Sequence, residues 1–538
     1  MHSRNPYKTL INFESLASAY PRLKAHLRTL HSGTKAIDFK DDVAQRRLTE
    51  AILFSDFGLK VVLPEDRLCP PVPNRMNYIL WIQDIIDAYP GSSKRTVGGI
   101  DIGTGASAIY PLLGCKMASN WHFVATEIDS ASYSQAVINI RTNKLEDRIQ
   151  AVKATETGPI LFPLFDLDEN DVSYDFTMCN PPFYASLEEI EELALKKEAK
   201  PSAVCTGALT EMIYPGGEVA FVRQMVDESV KLGDKCRWYT SMLGRLSSVL
   251  EVVGVLRARK ITNYAVTEFV QGQTRRWAVG WSFGDLRLPD SISRISHLPP
   301  AHSLYPFLPP KNTLRQTYPE LASTKEAAHS GISRHLGRKL QEVLLDVLRE
   351  IECVEANEAP PAGAERSSEP SSAAMLPHIR PSEDTFPLIT VQAARNTWSR
   401  SARRKKKGVP NHSPATLPTR SFSSSTTMNT DLPATGLQRC ETSIRTTHLV
   451  SCNAPVRQLE DNPMLTHLPL VCSVGWISPT SSSADAVPDV DGSSAQQSQP
   501  LPSTLEFQWI RGVDRALFES FMGHVTRKVG AALPASSD

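Results

Sequence analysis

Long apolar runs are missing from this chain of 538 residues, and none approaches the roughly 18 apolar residues that a membrane-spanning helix needs. The first residues also lack the basic, then apolar, then small-residue pattern of a secretory signal. Net charge is absent as well. The 58 Lys and Arg balance 58 Asp and Glu, so affinity for a polyanion must come from local clustering. Cysteine is sparse, nine residues with no Cys-x-x-Cys pair, which argues against a zinc ribbon and for a reducing compartment. We therefore expect a soluble intracellular protein that needs no metal and no membrane. Its length exceeds what one core serves, so two domains plus disordered linkers are expected.

What is present is most informative at Asn180-Pro181-Pro182-Phe183, directly after the apolar run Tyr174–Cys179. A strand that stops there leaves an amide side chain and a prolyl carbonyl at the carboxyl edge of a sheet. Prolines cannot donate hydrogen bonds and fix their own φ, so the turn is stiff and its carbonyls are free to accept. Phe183 is placed to lie against a flat heterocycle. Two acceptors beside a stacking face make a socket for a planar amine such as adenine N6. Pro-Pro-aromatic turns also end ordinary strands, so the weight rests on a second motif. Cys179 reads as strand core rather than as a nucleophile.

That motif lies upstream. Val97–Ile102 reads as a buried strand, and Asp101 with Gly103 and Gly105 forms an acidic-x-Gly-x-Gly loop in which Ser107 stands at the third glycine's place. Without Cβ atoms the backbone can turn tightly and approach a ligand. A second strand, His122–Thr126, ends in Glu127, 22 residues after Gly105, the spacing of a ribose-hydroxyl acceptor in a Rossmann-type crevice. The order of motifs argues for S-adenosylmethionine over NAD, whose fingerprint wants a third glycine and no amine socket.

At this point the chain resembles a known family. Asp101–Ser107, Ile109–Gly114, Ala125–Asp129 and Asn180–Phe183 resemble the RNA adenine-N6 methyltransferases that act on U6 small nuclear RNA. These enzymes have a bacterial relative that modifies a large-subunit ribosomal RNA adenine. Asn74–Trp81, Arg237–Gly244 and Thr267–Gly272 match too, and the resemblance runs from about residue 2 to residue 284. It implies a Rossmann-like class I α/β fold and a fungal-type member of the family. The cofactor would be S-adenosylmethionine, and the substrate structured RNA, a small nuclear RNA or an mRNA hairpin. It assigns Asn180, Pro181, Pro182 and Phe183 to catalysis. It assigns Arg75, Asp101, Gly103, Gly105, Ser107, Glu127, Thr157 and Asn180 to the cofactor, with Arg75 a fork for the methionine carboxylate. By itself Arg75 could also be a surface arginine on a loop; the family match favours the fork. The loop from Lys153 to Gly158 carries one lysine where relatives carry more, so a gating role and an ordinary turn both stand.

Residues 1–35 carry six basic side chains, Arg4 and Lys8 among them, against the single acid Glu14. Such an arm suits phosphate contacts, although charge runs are more often solvated faces. Residues 262–277 interleave Tyr264 and Phe269 with Arg275 and Arg276. Two readings stand: a grip on RNA phosphates and bases, or a twisted edge hairpin with exposed arginines. Relatives carry arginine where Gln273 stands.

The expected organisation is a basic RNA-binding arm (1–75), a methyltransferase domain (76–290), a helix and disordered linker (291–380) and a small α/β accessory module (381–535). A disordered insertion at about 409–460 interrupts that module. A spacer at Pro70–Pro73 should lead to a helix from Asn77 to Tyr89. A second helix should span Ser333 to Glu355, ahead of a Pro/Ala/Ser/Glu stretch to Pro381 that buries too little to order itself. Five consecutive basic residues, Arg403–Lys407, support a nuclear location, with a cytoplasmic pool as a second option. Two other functions stay open. One is glutamine-N5 methylation of a protein, which uses the same turn with tyrosine last, as Tyr184 would allow. The other is RNA binding with an idle cofactor pocket.

Overall fold

The computed structural model describes residues 1–9, 11–167, 174–196, 208–272, 274–318, 330–351, 354–358, 388–407, 469–477 and 503–533. The chain opens with α1 (Phe13–Ala19), the hairpin β1 (Leu27–Thr29) and β2 (Lys35–Ile37), and α2 (Asp42–Phe57). Asp41 caps α2 by accepting from the Val43 N–H, and Gly58 ends it in the left-handed region at φ 63°. After α3 (Val72–Asp87) come β3 (Val97–Ile102), α4 (Ile109–Met117), β4 (Trp121–Glu127), α5 (Ser130–Thr142), β5 (Ile149–Lys153), the single turn α6 (Phe162–Phe165) and β6 (Tyr174–Cys179). Then follow α7 (Leu187–Lys196), the single turn α8 (Leu209–Met212), α9 (Gly217–Leu232), β7 (Cys236–Leu243), α10 (Leu246–Ala258) and the hairpin β8 (Asn263–Gln271) to β9 (Thr274–Ser282).

Seven of these strands form one sheet in the order β5-β4-β3-β6-β7-β9-β8. It is parallel from β5 to β7 and antiparallel across the β9 and β8 hairpin. The central strands read as apolar runs because helices cover both faces. From β3 the chain moves outward to β4 and β5, then returns to place β6 on the other side. That reversal opens a crevice at the carboxyl ends of β3 and β6. Ile102 pairs with Cys179 across it, so the glycine loop and Asn180 emerge side by side.

The amino-terminal segment is not a free arm. Leu16, Leu23, Ile37, Ile52 and Leu53 are buried in the same core as Ile79, Trp81 and Leu112, so residues 1–75 fold against the sheet domain. The expected boundary at residue 75 cuts through α3, which starts at Val72 rather than Asn77. Pro73 sits in its first turn, where a missing N–H costs nothing and a fixed φ suits the helix. The proline stretch read as a spacer is therefore partly a helix start, and Arg75 is on a helix rather than a loop.

Farther on lie α11 (Asp290–Ser293), β10 (Thr313–Tyr318), α12 (Ser330–Arg349), β11 (Val354–Glu358), β12 (Ile389–Ala393), α13 (Arg400–Lys407), β13 (Leu470–Ile477), β14 (Ser503–Arg511) and α14 (Arg515–Ala532). Their sheet is antiparallel, in the order β10-β14-β13-β12-β11. Leu344 and Leu348 of α12 and Phe518, Phe521 and Val525 of α14 share its core. This module begins at Thr313, not at 381, because β10, α12 and β11 all contribute to it. The helix ends at Arg349 instead of Glu355, and β11 takes the first residues of the expected linker. The rest of that linker and the 409–460 insertion lie outside the described residues. Arg287 joins the two bodies: its Nε donates to the Gly512 carbonyl at 2.9 Å, and its guanidinium lies 4.3 Å from the Trp509 ring centroid.

Candidate active site

The loop after β3 is built on positive φ. Gly103 stands at 68° and Gly105 at 63°, and Ala108, unusually for a residue with a Cβ, at 49°. Ser107 is buried just ahead of α4. The Gly105 N–H donates to Glu127 Oε2 at 2.8 Å. Glu127 Oε1 accepts from the Ile128 and Asp129 N–H groups, both at 2.9 Å. A carboxylate has about four acceptor positions, so Glu127 holds the loop and keeps capacity for a ligand hydroxyl. Burial pushes its carboxyl above the usual range, against the pull of those three N–H groups.

Asp101 is fully buried, and neither of its carboxylate oxygens has a hydrogen-bond partner among the described residues. Desolvation pushes its carboxyl up to about 7, opposed by nearby Thr104 and Arg75. Thr104 Oγ1, Arg75 Nε and Asn180 Oδ1 are likewise buried and unpartnered. Native interiors rarely leave such groups unsatisfied. Five of them around one glycine loop fit a polar ligand that carries both donors and acceptors, as S-adenosylmethionine does. Arg75 donates to the Tyr110 hydroxyl at 3.1 Å and stacks over that ring at 5.5 Å. Among the described residues it makes no ion pair, although it lies near enough to act on the Asp101 carboxyl, which leaves its charge for an anion.

Asn180 follows β6 directly, and the strand end is pinned by Tyr78, whose hydroxyl accepts from the Cys179 N–H at 3.3 Å. Tyr78 also meets Thr240 Oγ1 at 2.6 Å. Cys179 is buried, and burial raises its thiol well above the ordinary value, so it stays protonated in the strand core. Phe183 packs where Gly244 leaves room: a Cβ there would stand 3.1 Å from its ring. The Arg276 guanidinium lies 6.0 Å from the ring centroid on Phe183. Sequence reading missed Glu218, which accepts from the Gly244 N–H at 2.7 Å and the Arg245 N–H at 3.1 Å. It missed Glu211 too, whose Oε2 accepts from the Leu68 and Ala208 N–H groups and whose other oxygen lies beside Gly105. An acid in the first turn after Gly216-Gly217 was the available signal for Glu218; nothing local marked Glu211 or Tyr78.

The remaining assigned residues are distributed unevenly. Thr157 is exposed in the Thr155–Gly158 turn. Lys153 donates to the Ile128 carbonyl and to Ser130 Oγ, folded back on its own sheet edge. Arg4 is ion-paired with Asp84 at 2.5 Å and Lys8 donates to the Ser3 carbonyl. Arg275 pairs with Glu268 at 3.0 Å. Burial, with Lys8 adding to it and Glu268 opposing, holds the Met1 amine below its ordinary value. The β8–β9 hairpin is the sheet edge, and of the four assigned RNA contacts only Arg276 adjoins the Asn-Pro-Pro-Phe turn. Gln273 lies outside the described residues.

A family model described as RNA methyltransferase matches residues 1–285. The RNA N(6)-adenosine-methyltransferase mettl16 of Xenopus laevis is 42% identical over 286 residues, 53% of this chain and 52% of the relative. The U6 small nuclear RNA (adenine-(43)-N(6))-methyltransferase of Schizosaccharomyces pombe is 43% identical over 276 residues, 51% of this chain and 68% of the relative. The crystal structure of the hMettl16 catalytic domain in complex with MAT2A 3'UTR hairpin 1 is 40% identical. It covers 53% of this chain and 95% of that one, with a TM-score of 0.48. The match spans about half the length of the vertebrate relatives from frog, mouse, human and chicken.

Proposed function

The chain belongs to the RNA methyltransferase family matched over residues 1–285, and from that premise we propose that it methylates N6 of an unpaired adenosine in structured RNA. The substrates proposed are those named for its relatives, U6 small nuclear RNA and an mRNA hairpin. One observation carries the reading: the buried, unpartnered side-chain oxygen of Asn180 beside a pocket of unpartnered cofactor-type groups. When bound, S-adenosylmethionine supplies an electrophilic methyl group.

The residues supply position and electrostatics. Adenine N6 is a poor nucleophile because its lone pair is delocalised into the ring. Asn180 Oδ1 and the Pro181 carbonyl would accept its two N–H bonds and favour a pyramidal nitrogen with an available lone pair. Pro182 stiffens the turn, and Phe183 stacks on the base. No residue need remove a proton before transfer, since it leaves readily from the cationic product; alignment carries the rate. Such a base must be unpaired or flipped out.

Asn180→Ala tests this. It should abolish transfer of labelled methyl to an RNA stem-loop bearing one unpaired adenosine, while stem-loop affinity changes less than about twofold. Retained transfer, or label found in polypeptide glutamine and not in RNA, would overturn the reading. We propose a nuclear location on the strength of the basic run Arg403–Lys407, checked by imaging the tagged chain; a predominantly cytoplasmic signal would reject it.

A further inference from the structure

The crevice accounts for a base and a cofactor and leaves the RNA backbone unassigned. Beside it, between the starts of α9 and α10, lies a cavity of about 500 Å³ whose walls include Arg223, Arg245, Ser247, Ser248 and Glu251. Neither helix has a side-chain cap, so first-turn N–H groups of both flank the space, with the buried Glu218 carboxylate already seated on the Gly244 and Arg245 N–H groups just ahead of α10. Ser248 is 3% exposed, and its hydroxyl makes no hydrogen bond among the described residues. Arg223 has no acidic partner among them either. Arg245 is held by Glu189 at 2.6 Å, an exposed pair that an incoming anion can replace.

The starts of the two helices that wall the cavity lie near the Asn-Pro-Pro-Phe turn. A Cβ at Gly217 would stand 3.7 Å from the Phe183 carbonyl oxygen, and one at Gly244 3.1 Å from the Phe183 ring. These two glycines stand at the head of the two walls. Resting on the RNA reading above, we infer that this cavity is a subsite for the backbone phosphate next to the methylated adenosine. Arg223 and Arg245 supply charge, and Ser248 with the α10 N–H groups supplies hydrogen bonds. Glu251, one turn farther along α10, keeps the anion at the end nearest Phe183.

The full chain is tested with a fluorescent RNA stem-loop carrying one unpaired adenosine, its affinity followed across a salt series. The Arg223→Gln/Arg245→Gln variant should lower the slope of log affinity against log salt by about 0.7–0.9, the loss of one phosphate contact. Arg→Lys at both positions should keep the slope. A neutral methylphosphonate at one linkage flanking the adenosine should weaken wild-type binding and leave the Gln variant unaffected. Unchanged titration of S-adenosylhomocysteine verifies that the variant is folded; a weakened titration transfers the question to the phosphonate scan on wild-type protein, where no sensitive flanking linkage overturns the proposal. Equal slopes for wild type and variant overturn it while RNA methylation by wild type persists. If the wild type neither binds nor methylates the RNA, the functional reading itself fails and the subsite with it.

Discussion

Asp101 is a carboxyl group with its charge buried and unpaired, and that makes it a titration device as well as a ligand. Its acid form persists up to about pH 7 in the folded chain, against 3.8 ordinarily. Between those values the folded state binds the proton that the unfolded state has released, so stability falls as pH rises. Asp101→Asn removes that dependence. In cofactor-free protein, urea unfolding should show the variant gaining on wild type from about pH 4 to about pH 7 and levelling above. A difference that does not vary with pH would show that the carboxyl is not held neutral. At this same scale Asn180, Gly103, Gly105 and Glu127 were legible because each stands in a short motif. Glu218 and Glu211 were not, since their partners Gly244 and Leu68 lie 26 and 143 residues away.

Aromatic side chains of β4 and β6 meet over β3. Phe176 and Trp121 pack at 4.9 Å between ring centroids, and Phe123 lies edge-on to Phe176 at 5.7 Å. Gly99 of β3 makes the space: a Cβ there would sit 2.4 Å from Phe176 Cζ and 3.0 Å from Phe123 Cε1. A glycine inside a strand often marks such a close approach. Gly99→Ala should cost about 1–3 kcal/mol by overpacking, read as a lowered urea midpoint with an unchanged slope. A cost near zero would mean the rings can withdraw. Strand existence was readable from apolar runs such as Val97–Ile102. The start of α3 was misread because Pro70–Pro73 signals both a spacer and a helix start, and the choice depends on what Val72 packs against. β10 was missed because Thr313–Tyr318 is largely polar and pairs with Ser503–Gln508 across some 190 residues.

For the whole molecule the joint at Arg287 decides whether the accessory module moves independently. Besides its two side-chain contacts, the Arg287 N–H donates to the Ile510 carbonyl at 2.8 Å and the Gly512 N–H to the Asp285 carbonyl at 3.0 Å. Burial pulls the guanidinium down to about 10, with Asp285 opposing, so it stays charged at neutral pH. Arg287→Ala loses a charged hydrogen bond and a stacked cation, together about 2–4 kcal/mol. Calorimetry should then resolve the accessory module as a separate, earlier transition. A single transition at the wild-type temperature would show that the joint contributes little.

The chain's local patterns suffice to pick out the proposed site, because a strand ending in Asn-Pro-Pro-Phe and a glycine loop carry their geometry in the backbone. They also suffice for the parallel order of β3 to β6, since each strand–helix alternation has few ways to close. Contacts distant in sequence were decided by the tertiary structure alone. These are the burial of residues 1–75 in the sheet core, the extension of the carboxyl-terminal sheet to Thr313, and the placing of Arg223 and Arg245 in the walls of one cavity. Such contacts depend on which apolar surfaces find each other, and no single stretch of sequence encodes its partner.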